Sequence, residues 1–148
     1  MTDYDSGNIF AKILRGEIPC HKVYEDTMTL AFMDVMPQAK GHVLVIPKKP
    51  SRNILDVAPG DLTAVMATAQ KIARAVKEAF SSGGVLIMQF NEAPAGQTVF
   101  HFHVHVIPRY EGVSLLQHGR QMVDPAQLAE HARTIVAALQ QSAGSAVE

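Results

Sequence analysis

Apolar residues recur along this chain in two rhythms, one helical and one alternating. In "SGNIFAKILRGEIP", Ile9, Phe10, Ile13 and Leu14 fall at helical spacing, with Ser6 as a candidate cap and Gly16 as a stop. "HKVYED" and "TLAFMDV" read as two short strands joined by a tight turn near Asp26 and Thr27. After "MPQAKG" comes a third strand, "HVLVIP". Pro47 and Pro50 break the pattern and leave "KKPSRN" as a basic loop.

The clearest helix lies in "APGDLTAVMATAQKIARAVKEAFSSGG", where Leu62, Val65, Met66, Ala69, Ile72, Ala73, Val76 and Phe80 share one face. "SSGG" ends it. "VLIMQF" reads as a buried strand, "NEAPAGQ" as a loop and "TVFHFHVHVIP" as a long strand. "EGVSLLQHGRQMV" is irregular. "DPAQLAEHARTIVAAL" forms a last helix with Asp124 as cap and Pro125 in its first turn. Its apolar face is Leu128, Ala132, Ile135, Val136 and Leu139.

Short strands with tight connections predict an antiparallel sheet with packed helices, an α+β fold. With no repeat or linker, residues 1–148 read as a single domain, and about 141–148 as a frayed tail. The 47% hydrophobic and 18% charged content is that of a globular protein. A net charge of -1 argues against broad binding to nucleic acid. The single cysteine, Cys20, excludes an internal disulfide and a Cys-rich metal knuckle. The polar start does not read as a signal peptide, and no apolar run is long enough to span a membrane. The expected location is the cytoplasm.

Three of the seven histidines stand in "HFHVHV". On a strand, His101, His103 and His105 would point one way, each roughly 6.5–7 Å from the next, and Phe100, Phe102, Val104 and Val106 the other. The row has three readings. It could be a solvated face, although Thr or Lys would fill one more cheaply. It could bind zinc, with His42 or a carboxylate such as Glu92 or Asp34 as third ligand. It could perform nucleophilic catalysis on phosphorus, for which a neutral imidazole is well suited. The preceding "NEAPAGQT" favours the last: Gly96 for a tight turn, backbone N–H groups able to face an anion, and the Thr98 hydroxyl.

"GQTVFHFHVHVIPR" resembles the signature of the histidine triad (HIT) family. "NIFAKILRGEIP", "HKVYED", "AFMDVMPQAKGHVLVIPKK" and the long middle helix resemble family segments in the same order, and the likeness weakens beyond about residue 110. The resemblance implies a five-stranded antiparallel sheet with helices, usually in a homodimer, and attack at the α-phosphorus of a nucleotide. His103 would be the nucleophile. His101 and His105 would flank it, with His105 hydrogen-bonding the phosphate. His42 would support the first histidine of the triad. Gln97 and Thr98 would hold the phosphate and leaving group, and Asn91 would lie near phosphate and sugar. Asp34 would take the ribose hydroxyls, and Ile9, Phe10, Phe32 and Val35 would form the slot for the base. His21, His118 and His131 match nothing catalytic and read as surface residues.

Two departures from the family pattern matter. Many bacterial relatives carry Cys-x-x-Cys where this chain has Asn8 and Ala11, and those cysteines, with histidines, hold a structural zinc. That zinc should be lost here, and no metal or other cofactor is expected. His105 stands where the transferase branch has Gln, which points to water as the final acceptor. "NIFAKI" and "FMDVMPQAKGH" resemble the Hint branch, which cleaves purine nucleoside phosphoramidates, and the overall length and the two N-terminal strands favour that branch. "PAGQTV" and "HVIPR" equally resemble the Fhit branch, which cleaves dinucleoside polyphosphates. The expected partner is a purine nucleotide, with no membrane and no specific nucleic acid. The rival from another class is a nucleotide-binding regulatory scaffold with little turnover.

Overall fold

The computed structural model describes residues 3–116 and 122–146. Five strands form one sheet: β1 (Lys22–Glu25), β2 (Thr29–Met33), β3 (Val43–Pro47), β4 (Gly84–Met88) and β5 (Val104–Arg109). They lie in the order β1-β2-β3-β5-β4, and every neighbouring pair is antiparallel. Three α-helices accompany them: α1 (Ile9–Leu14), α2 (Pro59–Ala79) and α3 (Pro125–Ala146).

Strand alternation splits the sheet into two buried faces. Ala31, Met33, Val43, Val45, Val104 and Val106 face the main core, where Val65, Ile72 and Val76 of α2 and Leu128 and Ile135 of α3 meet them. Burying each such side chain stabilises by roughly 1.5–3 kcal/mol, so this layer dominates the fold's stability. The other face carries Leu30, Phe32, Leu44 and Ile46, covered by Phe10 of the short helix α1. The register sets Phe32 beside Leu44 and Leu44 beside His105, which puts His105 on this second face.

Local chemistry explains the joints. Asp26 closes the β1–β2 turn, its Oδ1 accepting from the backbone N–H groups of Met28 at 2.9 Å and Thr29 at 2.7 Å. Gly41, at φ +89°, leads into His42, and a Cβ there would sit 2.7 Å from the Phe80 ring, so only glycine fits. Asp124 caps α3 as expected, its side chain accepting from Ala126 N–H at 3.0 Å.

Several sequence expectations need correction. Asn8, not Ser6, caps α1, with its Oδ1 2.9 Å from Ala11 N. Met66 of α2 is exposed. The left-handed residue after α2 is Ser81, at φ +50°, rather than a glycine of "SSGG". Helix α3 continues through 141–146, into the stretch read as a frayed tail. The long strand "TVFHFHVHVIP" is the main error, because pairing begins only at Val104. β3 pairs with Val104 to Val106. Upstream, the chain turns to other partners, with Phe102 N–H donating to the Ser51 carbonyl at 2.8 Å. His101 and His103 are therefore not a strand row, and all three triad histidines are buried rather than on a solvated face. His131 is half-buried against the Phe80 ring, and His118 lies outside the described residues.

Candidate active site

Between α1 and the second sheet face lies a cavity of about 410 Å³. Its apolar walls include Ile9, Phe10, Phe32 and Val35, and its polar groups include Asp34, Thr98, His103 and His105. Size alone does not select it: a neighbouring hollow of about 440 Å³ is bordered by Lys22, Glu25 and Lys48. That hollow has no histidine, and Glu25 already pairs there with Lys22 at 2.9 Å and Lys48 at 2.8 Å. The histidine-bearing cavity joins an apolar slot to a few convergent polar groups, the usual make-up of a small-molecule site.

The aromatic rings at its floor meet edge to face. Phe10 lies 5.4 Å from Phe32 and 4.9 Å from His103, and His103 lies 5.0 Å from His105, centre to centre. A planar base fits such walls without demanding one particular hydrogen-bond pattern.

The hydrogen bonds assign the proton on each imidazole. His103 Nδ1 is 2.7 Å from the His101 carbonyl oxygen, which only accepts. Nδ1 of His103 therefore carries a proton, and in the neutral ring Nε2 has the lone pair. The Gln38 backbone N–H donates to His42 Nδ1 at 3.0 Å, so neutral His42 is protonated on Nε2. That Nε2 lies 3.0 Å from His105 Nδ1 and donates to it, which leaves the His105 proton on Nε2. His101 Nε2–H donates to the Pro47 carbonyl at 2.8 Å, and its Nδ1 accepts from the Tyr4 hydroxyl at 2.6 Å. Burial pushes His101 below the ordinary imidazole value, against the opposing effect of the Pro47 carbonyl.

His42 thus supports His105, the third histidine, and not His101, the first, as the resemblance implied. Neither His42 nor His101 lines the cavity; both are buried behind it.

The loop before β5 also differs from expectation. The N–H of Glu92 donates to Gln97 Oε1, that of Ala95 to Glu92 O, that of Gly96 to Ala93 O, and that of Gln97 to Glu92 O. These amides are used inside the loop, so they do not form an anion-binding concavity. The Gln97 side chain is a brace. It accepts from Glu92 N at 2.7 Å and Asn53 Nδ2 at 3.1 Å, and donates to the carbonyls of Arg52 at 2.8 Å and Val99 at 3.0 Å. Asn91 pairs with the Gln89 amide and accepts from Ile54 N–H at 2.8 Å, away from the cavity lining. Of Asn91, Gln97 and Thr98, only Thr98 borders the cavity; the other expected phosphate contact, His105, does too.

Sequence reasoning missed what holds this loop. Arg52 makes a forked ion pair with Glu92, at 2.7 and 2.9 Å, and lies over the Phe100 ring at 4.3 Å. The Arg52 guanidinium holds the Glu92 carboxyl below its ordinary value. The cavity also recruits Ile13, Ile18, Met36, Leu44 and Val99. Their apolar character was visible in the sequence, but not which of them would border an opening.

Asp34, His42 and His105 each offer a ligand atom, and these atoms lie within 4.8 Å of one another. Asp34 Oδ2 is 3.5 Å from His42 Nε2, while Oδ1 accepts from Met36 N–H at 2.8 Å. The zinc site of the cysteine-bearing relatives does not fit here: Asn8 is the cap of α1, and Ala11 offers no ligand atom.

Fold and site together define an α+β protein with a histidine cluster beneath an apolar pocket that carries a few polar groups. The HIT domain family model matches residues 15–112, and the chain belongs to that family. A crystal structure of a Hit-like protein from Bartonella henselae, described as involved in cell-cycle regulation and bound to an unknown ligand, is 53% identical. It superposes with a TM-score of 0.87 over 92% of this chain and 99% of that one. A zinc-bound histidine triad family protein from Mycobacterium smegmatis is 35% identical with a TM-score of 0.84, over 94% and 97% of the two chains. The adenylylsulfatase HINT3 of Arabidopsis thaliana is 40% identical over 103 residues, 70% of this chain and 52% of that protein.

Proposed function

We propose that this protein hydrolyses purine nucleoside phosphoramidates or related AMP conjugates at the α-phosphorus, through a nucleotidyl-histidine intermediate. The observation that carries this reading is the His103 Nδ1 bond to the His101 carbonyl, 2.7 Å long, which puts the lone pair on Nε2. The base lies between Phe10, Phe32, Ile9 and Val35, and the ribose hydroxyls meet Asp34. The phosphate meets Thr98 and His105. His103 Nε2 attacks phosphorus, the bond to the leaving group breaks, and the leaving atom takes the electron pair and a proton from water. His105 Nε2–H stabilises the charge that develops on the phosphate oxygens. Water then cleaves the phosphorus–histidine bond, releasing the nucleoside monophosphate and restoring neutral His103.

In this reading the working unit is a cytoplasmic homodimer that needs no cofactor and engages neither membrane nor specific nucleic acid. Among the described residues, no helix is long and apolar enough to cross a membrane. HINT3's name, an enzyme acting on adenylyl sulfate, supports AMP conjugates as the substrate class.

The test compares turnover of an adenosine phosphoramidate, adenylyl sulfate and a diadenosine polyphosphate. Preference for either of the first two supports the reading. Preference for the dinucleotide moves the protein to Fhit-like chemistry with the same residues. Tight nucleotide binding without turnover of any of them would make it a binding scaffold.

A further inference from the structure

We propose that Tyr4 is a positioning residue for His103, acting through His101 as a strap from the N-terminal segment. The proposal rests on His103 being the nucleophile, as set out above. Tyr4 and His101 are 97 positions apart, yet the hydroxyl sits 2.6 Å from His101 Nδ1 and the rings meet edge to face at 5.7 Å. A phenol both donates and accepts, whereas the Pro47 carbonyl on the other ring nitrogen only accepts. The His101 proton is therefore on Nε2, and Tyr4 is the donor to Nδ1. With both ring nitrogens held, at 2.6 and 2.8 Å, the fully buried His101 has one orientation.

The next link is the backbone. The His101 carbonyl accepts the His103 Nδ1 proton at 2.7 Å, and that bond assigns the lone pair to Nε2. Residues 98–103 are not strand-paired, so the sheet ladder does not fix this carbonyl. The described bonds that hold this stretch to its surroundings are the two on the His101 ring, the Phe102 N–H to Ser51 and, at its start, the Gln97 amide to the Val99 carbonyl. Tyr4 is itself delivered by a built turn. Gly7 N–H donates to Asp5 Oδ1 at 2.8 Å, and Asn8 donates to the Asp5 carbonyl from its side chain at 2.8 Å and its backbone at 3.2 Å. Asn8 thus ties the cap of α1 to the turn that carries Tyr4.

The experiment is Tyr4→Phe, which removes only the hydroxyl, read by steady-state kinetics and by ¹⁵N spectra of the imidazoles. Wild-type protein should show His103 protonated on Nδ1 and His101 on Nε2. In Y4F, His103 should exchange between tautomers, and kcat should fall on the order of 10-fold to 100-fold, the scale of a small misplacement of a reacting group. KM should hold, because the base and ribose contacts are untouched. Unchanged kcat with unchanged tautomers overturns the proposal, as does wild-type His101 protonated on Nδ1. The wild-type spectra decide even if Y4F does not fold. They also need no turnover, so an inactive wild type would sink the hydrolase reading and leave the strap to be judged by the rings.

Discussion

His42 Nε2 and His105 Nδ1 lie 3.0 Å apart, deep in the sheet, with the Gln38 backbone N–H on the far nitrogen of His42. The bond joins β3's entry to β5 and completes a directional chain: Gln38 N–H to His42, His42 to His105, and His105 Nε2–H onward. A buried His42 that accepts on one side must donate on the other, so one backbone amide orients a proton two rings away. Replacing His42 by Ala would leave the Gln38 N–H and His105 Nδ1 without that partner and open a void. We expect a loss of roughly 2–4 kcal/mol in unfolding free energy. Turnover should fall more than nucleotide binding. Denaturant unfolding beside kcat and Kd checks this, and wild-type stability in H42A would refute the relay.

His103→Ala should abolish turnover while nucleotide still binds, since the walls at Phe10 and Phe32 and the polar groups at Asp34, Thr98 and His105 remain. Calorimetric titration with AMP measures the binding. Equal turnover in the variant would remove the covalent mechanism.

Gln97→Ala should destabilise the loop rather than strip a phosphate contact. Four hydrogen bonds vanish from a nearly buried amide. A cost of roughly 2 kcal/mol or more is expected, because the Glu92 N–H and the Arg52 carbonyl lose a partner. A shifted melting temperature with hydrogen exchange spreading through 91–98 is the predicted signature. A raised KM in a protein of unaltered stability would restore the direct phosphate role.

Stability should fall as the solution is acidified through the histidine range. Burial holds His101 below the ordinary imidazole value of 6.5. Between the folded value and 6.5 the unfolded chain binds more protons than the folded one, so stability rises with pH there and is lost as pH falls. One such group contributes a slope of at most about 1.4 kcal/mol per pH unit. Thermal melts from pH 5 to pH 7 measure it, and a flat profile would show that His101 does not stay neutral.

Chelation should leave turnover unchanged, since the attack and phosphate contacts are assigned to imidazoles. The Asp34, His42 and His105 cluster makes this a real test. Activity lost with chelator and restored by zinc would put a metal in the mechanism.

The short apolar runs "TLAFM" and "HVLVI" and the periodicity of the two long helices foretold the α+β layers, because strands buried on both faces read as continuous apolar runs and helices buried on one face repeat every three to four residues. The histidine motif marked the site for the same local reason: its chemistry lies in six consecutive residues. What the sequence could not determine was where pairing stops. β5 begins at Val104 because the chain upstream turns away from β3, Phe102 N–H donating to Ser51 instead, and that places His101 and His103 off the ladder. Nor could it show that His42 serves His105, that Gln97 braces a loop, or that Tyr4 reaches His101. Those are contacts between segments distant along the chain, and hydrogen-bond partners leave no periodic trace in sequence. Only the tertiary structure, by closing the sheet between α1 and the two long helices, chose which polar groups would meet.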